Sequence, residues 1–345
     1  MVAAVLGPEH FRSGLQVYLK RHQYGNTTTA DLWRAWSEVS GIDVASLMAS
    51  WTQQMGFPYV QVVSEHRHGT AVEVTLEQHW FLADGSGLEG DGAEKIWTIP
   101  LFFATSASIS SSAVLMTQKT QTFTLPVTGP DDWIKINAGQ QALLRVNYST
   151  EMVKRLIPAI REKVLGPEDR AALLLDVYAL AKANVAPLET VVELLKAYDG
   201  EDNGTVWTAI AGILNALKLL LEHTNEQANK AFLAFAGKIV KGALRTVGWA
   251  PAPDTVNNEP HVVKLWRSTV LSLVESFCGS DEEVVAEARR RFDAHWESPE
   301  ELPAEYKVRL NGMGWGNRID HERVLLRAIC DSACPDICSL AKVQC

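Results

Sequence analysis

Apolar positions recur at helical spacing in the first 56 residues, alternate at strand spacing to about residue 148, and return to helical spacing thereafter. In the opening block Leu47, Met48, Trp51 and Met55 stand three and four apart and predict one apolar stripe. Gly56 suits a left-handed C′ position, and Pro58 forbids continuation of the helix, so the block should end near residue 57. Pro8 fits the first position of a helix that runs to about Arg21. Thr28 and Asp31 resemble a capping box opening a second helix that Gly41 closes, and Asp43 can cap a third. Three short helices cannot fully bury Leu32, Trp33, Trp36, Leu47 and Trp51 among themselves, so the block reads as the edge of something larger.

Between residues 58 and 148 the period is two. In the stretch AVEVTLEQ, Val72, Val74 and Leu76 point one way while Glu73, Thr75 and Glu77 point the other, the pattern of a half-buried strand. Similar strands are predicted around Tyr59–Val63, Ile96–Ala104, Ala113–Thr117, Thr122–Pro126, Trp133–Ile136 and Leu143–Tyr148, with a glycine-rich loop over Ala83–Gly92. This number of short strands predicts an antiparallel β-sandwich of about 90 residues.

From residue 149 Leu173, Val177, Leu180 and Ala181 form one helical face, and Val206, Ile210, Ile213, Leu214, Leu217 and Leu221 another. Pro167 and Pro187 stand where helices begin, and the stretch Trp249–Asp254 interrupts the run. Helices of this length joined by short turns predict hairpins stacked as an α-helical solenoid, on element spacing alone because no strict repeat is present. The expected fold is therefore multidomain, α and β, divided into 1–57, 58–148, 149–310 and a divergent tail, 311–345.

Composition narrows the function classes. A chain of 345 residues with 47% hydrophobic residues can build two or three domain cores. A net charge of −9 argues against general affinity for nucleic acid or anionic membranes. The run Arg289–Arg291 is interleaved with Glu282, Glu283, Glu287 and Asp293 and reads as a solvated helix face. No uninterrupted apolar run reaches the ~18–20 residues that span a bilayer. The stretch MVAAVLGPEHF lacks the basic start and apolar length of a signal peptide. Glycosylation-type triplets at Asn26, Asn147 and Asn203 therefore carry no weight, and a reducing, cytoplasmic location is expected.

Candidate chemistry fails on spacing. In HERVL, at His321–Leu325, leucine stands where a zinc helix needs its second histidine. The glycines of Gly312–Asn317 are followed by no Lys-Ser/Thr and preceded by no strand, so they form no phosphate loop. His66 and His68 share a strand face without a third ligand. Cys330, Cys334 and Cys338 are spaced four apart, but Pro335 interrupts their helix; with Cys345 they read as free thiols in a tail, and Cys278 stands alone. Glu189 and Glu193 fall on solvent faces, and Trp33, Trp36, Trp51, Trp97, Trp133 and Trp207 fall within apolar patterns as core residues. No Gly-x-Ser-x-Gly elbow is present. No catalytic, cofactor-binding or metal-ligating residue is nominated.

The segment from Gly7 to Val62 resembles the end of the catalytic domain in zinc aminopeptidases of the gluzincin class, the puromycin-sensitive branch in particular. Its landmarks are Phe11, Gly14, Tyr18, Leu19, Asp31, Leu32, Trp33, Gly41 and the exit Trp51-Thr52 to Gln54-Met55-Gly56-Phe57-Pro58. DDWIKINAGQQALLRVNYS, from Asp131, resembles the last strands of that family's small β-sandwich, with Leu144 where the family usually has tyrosine. The stretch from Asp169 to Ile210 is similar to the opening of its C-terminal helical domain, and GWAPAPD and EARRRFDAHW also match. The resemblance covers about residues 1–310.

The resemblance implies that residues 1–57 are the last helices of a metallopeptidase catalytic domain and that Met1 corresponds to an internal methionine. The family's His-Glu-x-x-His helix, distant glutamate ligand, Gly-x-Met-Glu-Asn loop and catalytic tyrosine lie upstream of that point. Zinc is therefore expected in the full-length parent and none in this chain, which should be inactive alone. The helical domain is expected to enclose the active-site chamber and contact peptides. The alternatives are a free-standing peptide- or protein-binding scaffold and a regulator of a full-length aminopeptidase, with association through the exposed edge around Trp33 and Trp51.

Overall fold

The computed structural model describes residues 1–86, 92, 94–110, 112–222, 226–251 and 258–297. The chain forms two compact units, one over Met1–Glu201 and one from Asp202 onward. HERVL, GMGWGN and the cysteines at 330, 334, 338 and 345 lie outside the described residues, as does half of the Ala83–Gly92 loop.

The first unit opens with α1 (Val2–Arg21), α2 (Thr29–Ser40) and α3 (Val44–Thr52). Gly7, at φ 76°, bends α1, and Pro8 begins its longer arm as the sequence predicts. Asp31 accepts hydrogen bonds from the backbone N and Oγ1 of Thr28, both at 2.9 Å, and Gly41 closes α2 at φ 72°. Asp43 accepts from the Ser46 backbone at 3.0 Å and so caps α3. These helices bury Leu6, Trp36, Val44, Leu47 and Met48, with Trp33 and Trp51 half-buried beside them.

The end of this block differs from the expectation. The α3 helix stops at Thr52, so Met55 leaves the apolar stripe and is 71% exposed. Gly56 is not the helix cap, although its φ is +93°; a Cβ there would stand 2.0 Å from Nε1 of Trp80. Lys95 lies over that indole and donates to the Met55 carbonyl at 3.0 Å. The glycine is thus required by left-handed backbone and by the close indole together.

The strands are β1 (Pro58–His68), β2 (Ala71–Trp80), β3 (Ile99–Leu101), β4 (Phe103–Thr105), β5 (Val114–Met116), β6 (Thr120–Pro126), β7 (Ile134–Ile136) and β8 (Arg145–Asn147). One four-stranded sheet has the order β6-β2-β1-β8, and two-stranded sheets pair β3 with β5 and β4 with β7. All pairings are antiparallel except β1 with β8, a strand that returns by a long connection. The stretch expected as one strand over Ile96–Ala104 is two strands with different partners. Phe102 separates them and is buried with Ala104 and Ala138, while Pro100 can donate to no ladder. Gln78, fully buried, donates to the carbonyls of Trp97 and Gln118 and accepts from the Trp97 N–H, tying β2 to the neighbouring segments.

Three helices complete the first unit: α4 (Thr150–Arg161), α5 (Pro167–Lys182) and α6 (Leu188–Leu195). Pro167 occupies the first turn of α5, as read from the sequence, and Pro187 caps α6.

The second unit contains α7 (Gly204–Glu222), α8 (Glu226–Val247), α9 (His261–Cys278) and α10 (Glu282–Glu297). A Cβ on Gly204 would lie 3.3 Å from Trp266, while Lys218 donates to the Ser276 carbonyl, so α7 and α9 run parallel. Gly237 lies against Phe277 and Cys278 while Arg267 donates to the Val247 carbonyl, so α8 runs antiparallel to α9. By length and composition α7 could cross a membrane, with mean hydropathy 1.5 over 18 residues, although Asn215 and Lys218 interrupt its apolar run. Its Val206, Trp207, Ile210, Ile213, Leu214 and Leu217 are buried in the second unit, the face expected of a core helix.

Candidate functional site

The first unit has a cavity of about 850 Å³ where α1, the short strands and the loop before α5 meet. Its apolar wall includes Phe102, Trp133, Ala138 and Leu165; its polar wall includes Thr105, Ser106, Ser108 and Asp169. A space of this size with mixed walls suits binding of a side chain or small ligand. Two of these hydroxyls are already engaged: Thr105 donates to the Pro126 carbonyl at 2.8 Å and accepts from the backbones of Ala107 and Ser108, and Ser106 bonds the Asp132 carboxylate. Asp132 accepts from Thr128 and from the Gly129 backbone. Burial opposes its ionisation, but hydrogen bonds from Ser106, Thr128 and Gly129 outweigh it and hold the carboxyl at about 2.

Asp169 joins this cavity to a buried charge cluster. Its oxygens accept from the Gly139 backbone at 2.9 and 3.0 Å, and Lys135 Nζ stands 3.3 Å away. Lys135 also donates to the carbonyls of Ile136 at 2.7 Å and Asn137 at 3.3 Å. On the same helix Asp176 accepts from Arg145 at 3.0 Å and from the Val146 backbone at 3.2 Å. Arg145 also lies over the Phe81 ring, 4.7 Å from its centre. Tyr148 accepts from the Ile136 N–H at 2.8 Å and donates to the Ile136 carbonyl. The result is a neutral set, two cations and two carboxylates, that fastens β7, β8 and the turn at Gly139 to α5.

Burial dominates the proton equilibria of Asp176, Lys135 and Tyr148. It pushes the Asp176 carboxyl up to about 6 against the pull of Arg145 and Lys135. It lowers Lys135 against Asp169 and Asp176, and it raises Tyr148. A second buried pair lies nearby: Arg170 grips Glu201 with Nε and Nη2 at 2.7 and 2.8 Å, and Tyr198 donates to the Arg170 carbonyl at 2.6 Å. The carboxylates and the Lys135 ammonium of this cluster all have partners within the fold, Arg145 Nε is buried without one, and among these residues no nucleophile stands beside a base. The arrangement binds and braces.

His66 and His68 are exposed on the outer half of β1, opposite Glu73 and Ala71. Among the described residues no group of three or more His, Cys, Asp or Glu is placed to hold a metal ion. Cys278 is buried, its thiol pushed up to about 11 chiefly by burial, which makes it a poor nucleophile. Trp36, Trp97 and Trp207 are buried, and Trp33, Trp51 and Trp133 are half-buried in apolar clusters. The sequence reading overlooked Lys135, Arg145, Asp169 and Asp176 as a cluster. Their signal was charge inside apolar patterns: Lys135 sits between Ile134 and Ile136, and Asp176 lies on the face made by Leu173, Val177 and Leu180.

Comparison with known proteins places this geometry in context. The family profile of the ERAP1-like C-terminal domain matches residues 133–317, and that of the peptidase family M1 domain matches residues 1–51. The first match runs past Leu310, where the sequence reading placed the start of the divergent tail. The chain is 33% identical over 252 residues to a puromycin-sensitive aminopeptidase of Caenorhabditis elegans, covering 72% of this chain and 26% of that protein. It is 34% identical over 254 residues to aminopeptidase 2 of Candida albicans, 74% of this chain and 27% of that protein. Aminopeptidase M1-A of Oryza sativa subsp. japonica is 30% identical over 344 residues, 94% of this chain and 37% of that protein. The chain thus spans about a quarter to a little over a third of the length of these curated relatives.

Proposed function

This chain belongs to the ERAP1-like C-terminal domain family as the C-terminal part of an M1 aminopeptidase, and from that premise we propose that it is the noncatalytic segment of a zinc enzyme that removes N-terminal residues from peptides. The observation that carries the reading is the succession of matches, peptidase domain over 1–51 and helical domain over 133–317, on one chain whose sequence holds no His-Glu-x-x-His. Zinc and the groups that polarise the scissile carbonyl then belong to the parent's upstream residues. The strands over 58–148 form the parent's β-sandwich, and the helices from 149 form a solenoid that walls the active-site chamber and contacts peptide. The parallel α7 and α9 with α8 antiparallel to α9 support that reading, being the repeat geometry of stacked hairpins. The location is cytoplasmic, in keeping with a buried, free Cys278.

Two measurements test this. The purified chain, assayed on alanyl and leucyl fluorogenic substrates with zinc determined on the same sample, is expected to show neither turnover nor stoichiometric metal. Chelator-sensitive turnover with bound zinc would overturn the noncatalytic assignment. A chimera carrying this segment in place of the corresponding part of the nematode relative is expected to retain aminopeptidase activity. A folded, zinc-loaded chimera without activity would count against the chamber role.

A further inference from the structure

The second unit carries a groove of about 590 Å³ lined by Lys230, Lys238, Lys241 and Arg245 of α8 and by Phe277, Cys278 and Asp281. We propose that this groove docks an acidic segment of a partner polypeptide, a surface additional to the peptide-substrate role proposed above. At 100° per residue the four cations fall within an arc of about 80°, and at 1.5 Å rise they extend over about 22 Å. That is one basic stripe on a chain whose net charge is −9. Only two of the four are neutralised: Lys230 pairs with Glu226 at 2.8 Å and Lys241 with Asp281 at 2.5 Å. Lys238 and Arg245 are exposed and have no carboxylate partner among the described residues. Between the cations Leu233, Ala234, Gly237 and Phe277 give the groove an apolar floor.

The spacing selects the occupant. A small anion reaches one or two of these cations, whereas about seven residues of extended chain, at about 3.3 Å each, run the whole stripe. Acidic side chains then meet Lys238 and Arg245 while the intervening methylene stems lie on the floor. A nucleic acid would bring a continuous line of phosphates against a net negative protein, and four cations are too few to offset that repulsion.

The test is a fluorescence-polarisation titration of the full chain with a labelled eight-residue peptide rich in glutamate. Tighter binding at about 0.05 M than at about 0.3 M salt is expected. The double variant Lys238→Glu, Arg245→Glu changes two exposed side chains and is expected to weaken binding at least tenfold with an unchanged circular dichroism spectrum. The double variant Lys154→Glu, Lys196→Glu, an equal charge change on exposed positions of the first unit, is expected to bind as the parent does. No binding, equal loss in the two double variants, or equal displacement by inorganic phosphate or heparin would overturn the proposal. None of these readouts depends on zinc or peptidase activity, so the proposal can fail while the aminopeptidase reading stands.

Discussion

At the scale of single residues the most informative group is Asp176. Its neighbours are Arg145, Lys135 and the Val146 backbone, all of which favour the carboxylate, yet burial prevails and raises it to about 6. The unfolded chain releases this proton near pH 4, so between about 4 and 6 the native state binds more protons than the unfolded state. This group's contribution to stability is therefore full below about pH 4 and declines as pH rises through 6, by an amount on the order of 3 kcal/mol at most. Asp132 and Glu287, both held at about 2, act oppositely: they contribute above pH 4 and lose that contribution as pH falls towards 2. Asp176→Asn is accordingly expected to reduce the fall in stability between pH 4 and 6, read by urea denaturation of parent and variant across that range. An identical pH slope in the two proteins would mean that Asp176 is ionised in the native state throughout. The sequence reading passed over this residue because a periodicity argument assigns faces, and a charge on an apolar face reveals its partners only when β7 and β8 are placed beside α5.

At the scale of elements, local chemistry was legible wherever it acts within a few residues. The Thr28–Asp31 cap, the Asp43 cap, the start of a helical arm at Pro8 and the alternation in β2 all lie where the sequence puts them, because each is decided by neighbours in the chain. What escaped was long-range. The division of Ile96–Ala104 follows from which strand each half meets, and the early stop of α3 leaves Gly56 to answer to Trp80, 24 residues away. Gly14 is a related case, in the middle of α1 against Trp36. A Cβ there would stand 2.2 Å from Cδ1 of an indole already held by its hydrogen bond to the Phe11 carbonyl at 3.0 Å. Replacing a mid-helix glycine by alanine gains about 1 kcal/mol in propensity, whereas forcing a methyl into a packed ring costs about 1–3 kcal/mol. The clash is expected to win. Gly14→Ala should lower the thermal midpoint of the first unit, while an equal or higher midpoint would show that Trp36 moves aside without loss.

At the scale of the whole molecule, the broad succession of helices, strands and helices was legible, since it rests on a change of period that any core requires. The two compact units were not, because their division at Glu201–Asp202 falls inside a stretch that reads as uniformly helical. That division has a measurable consequence. Each unit encloses its own buried residues, so a lesion in one should leave protection in the other largely intact. Asp169→Ala removes an ion-pair partner of the buried Lys135 and the acceptor of the Gly139 N–H. Breaking a buried pair on one side costs about 3–5 kcal/mol, because the remaining charge keeps its desolvation without its partner. Hydrogen exchange is then expected to accelerate over 134–147 and 167–182, where β7, β8 and α5 are fastened by this cluster, and to stay near the parent rate in α7, α8 and α9. Equal acceleration throughout would mean that the chain opens as one cooperative body, and the brace between the strands and α5 would then bear on the helices of the second unit as well.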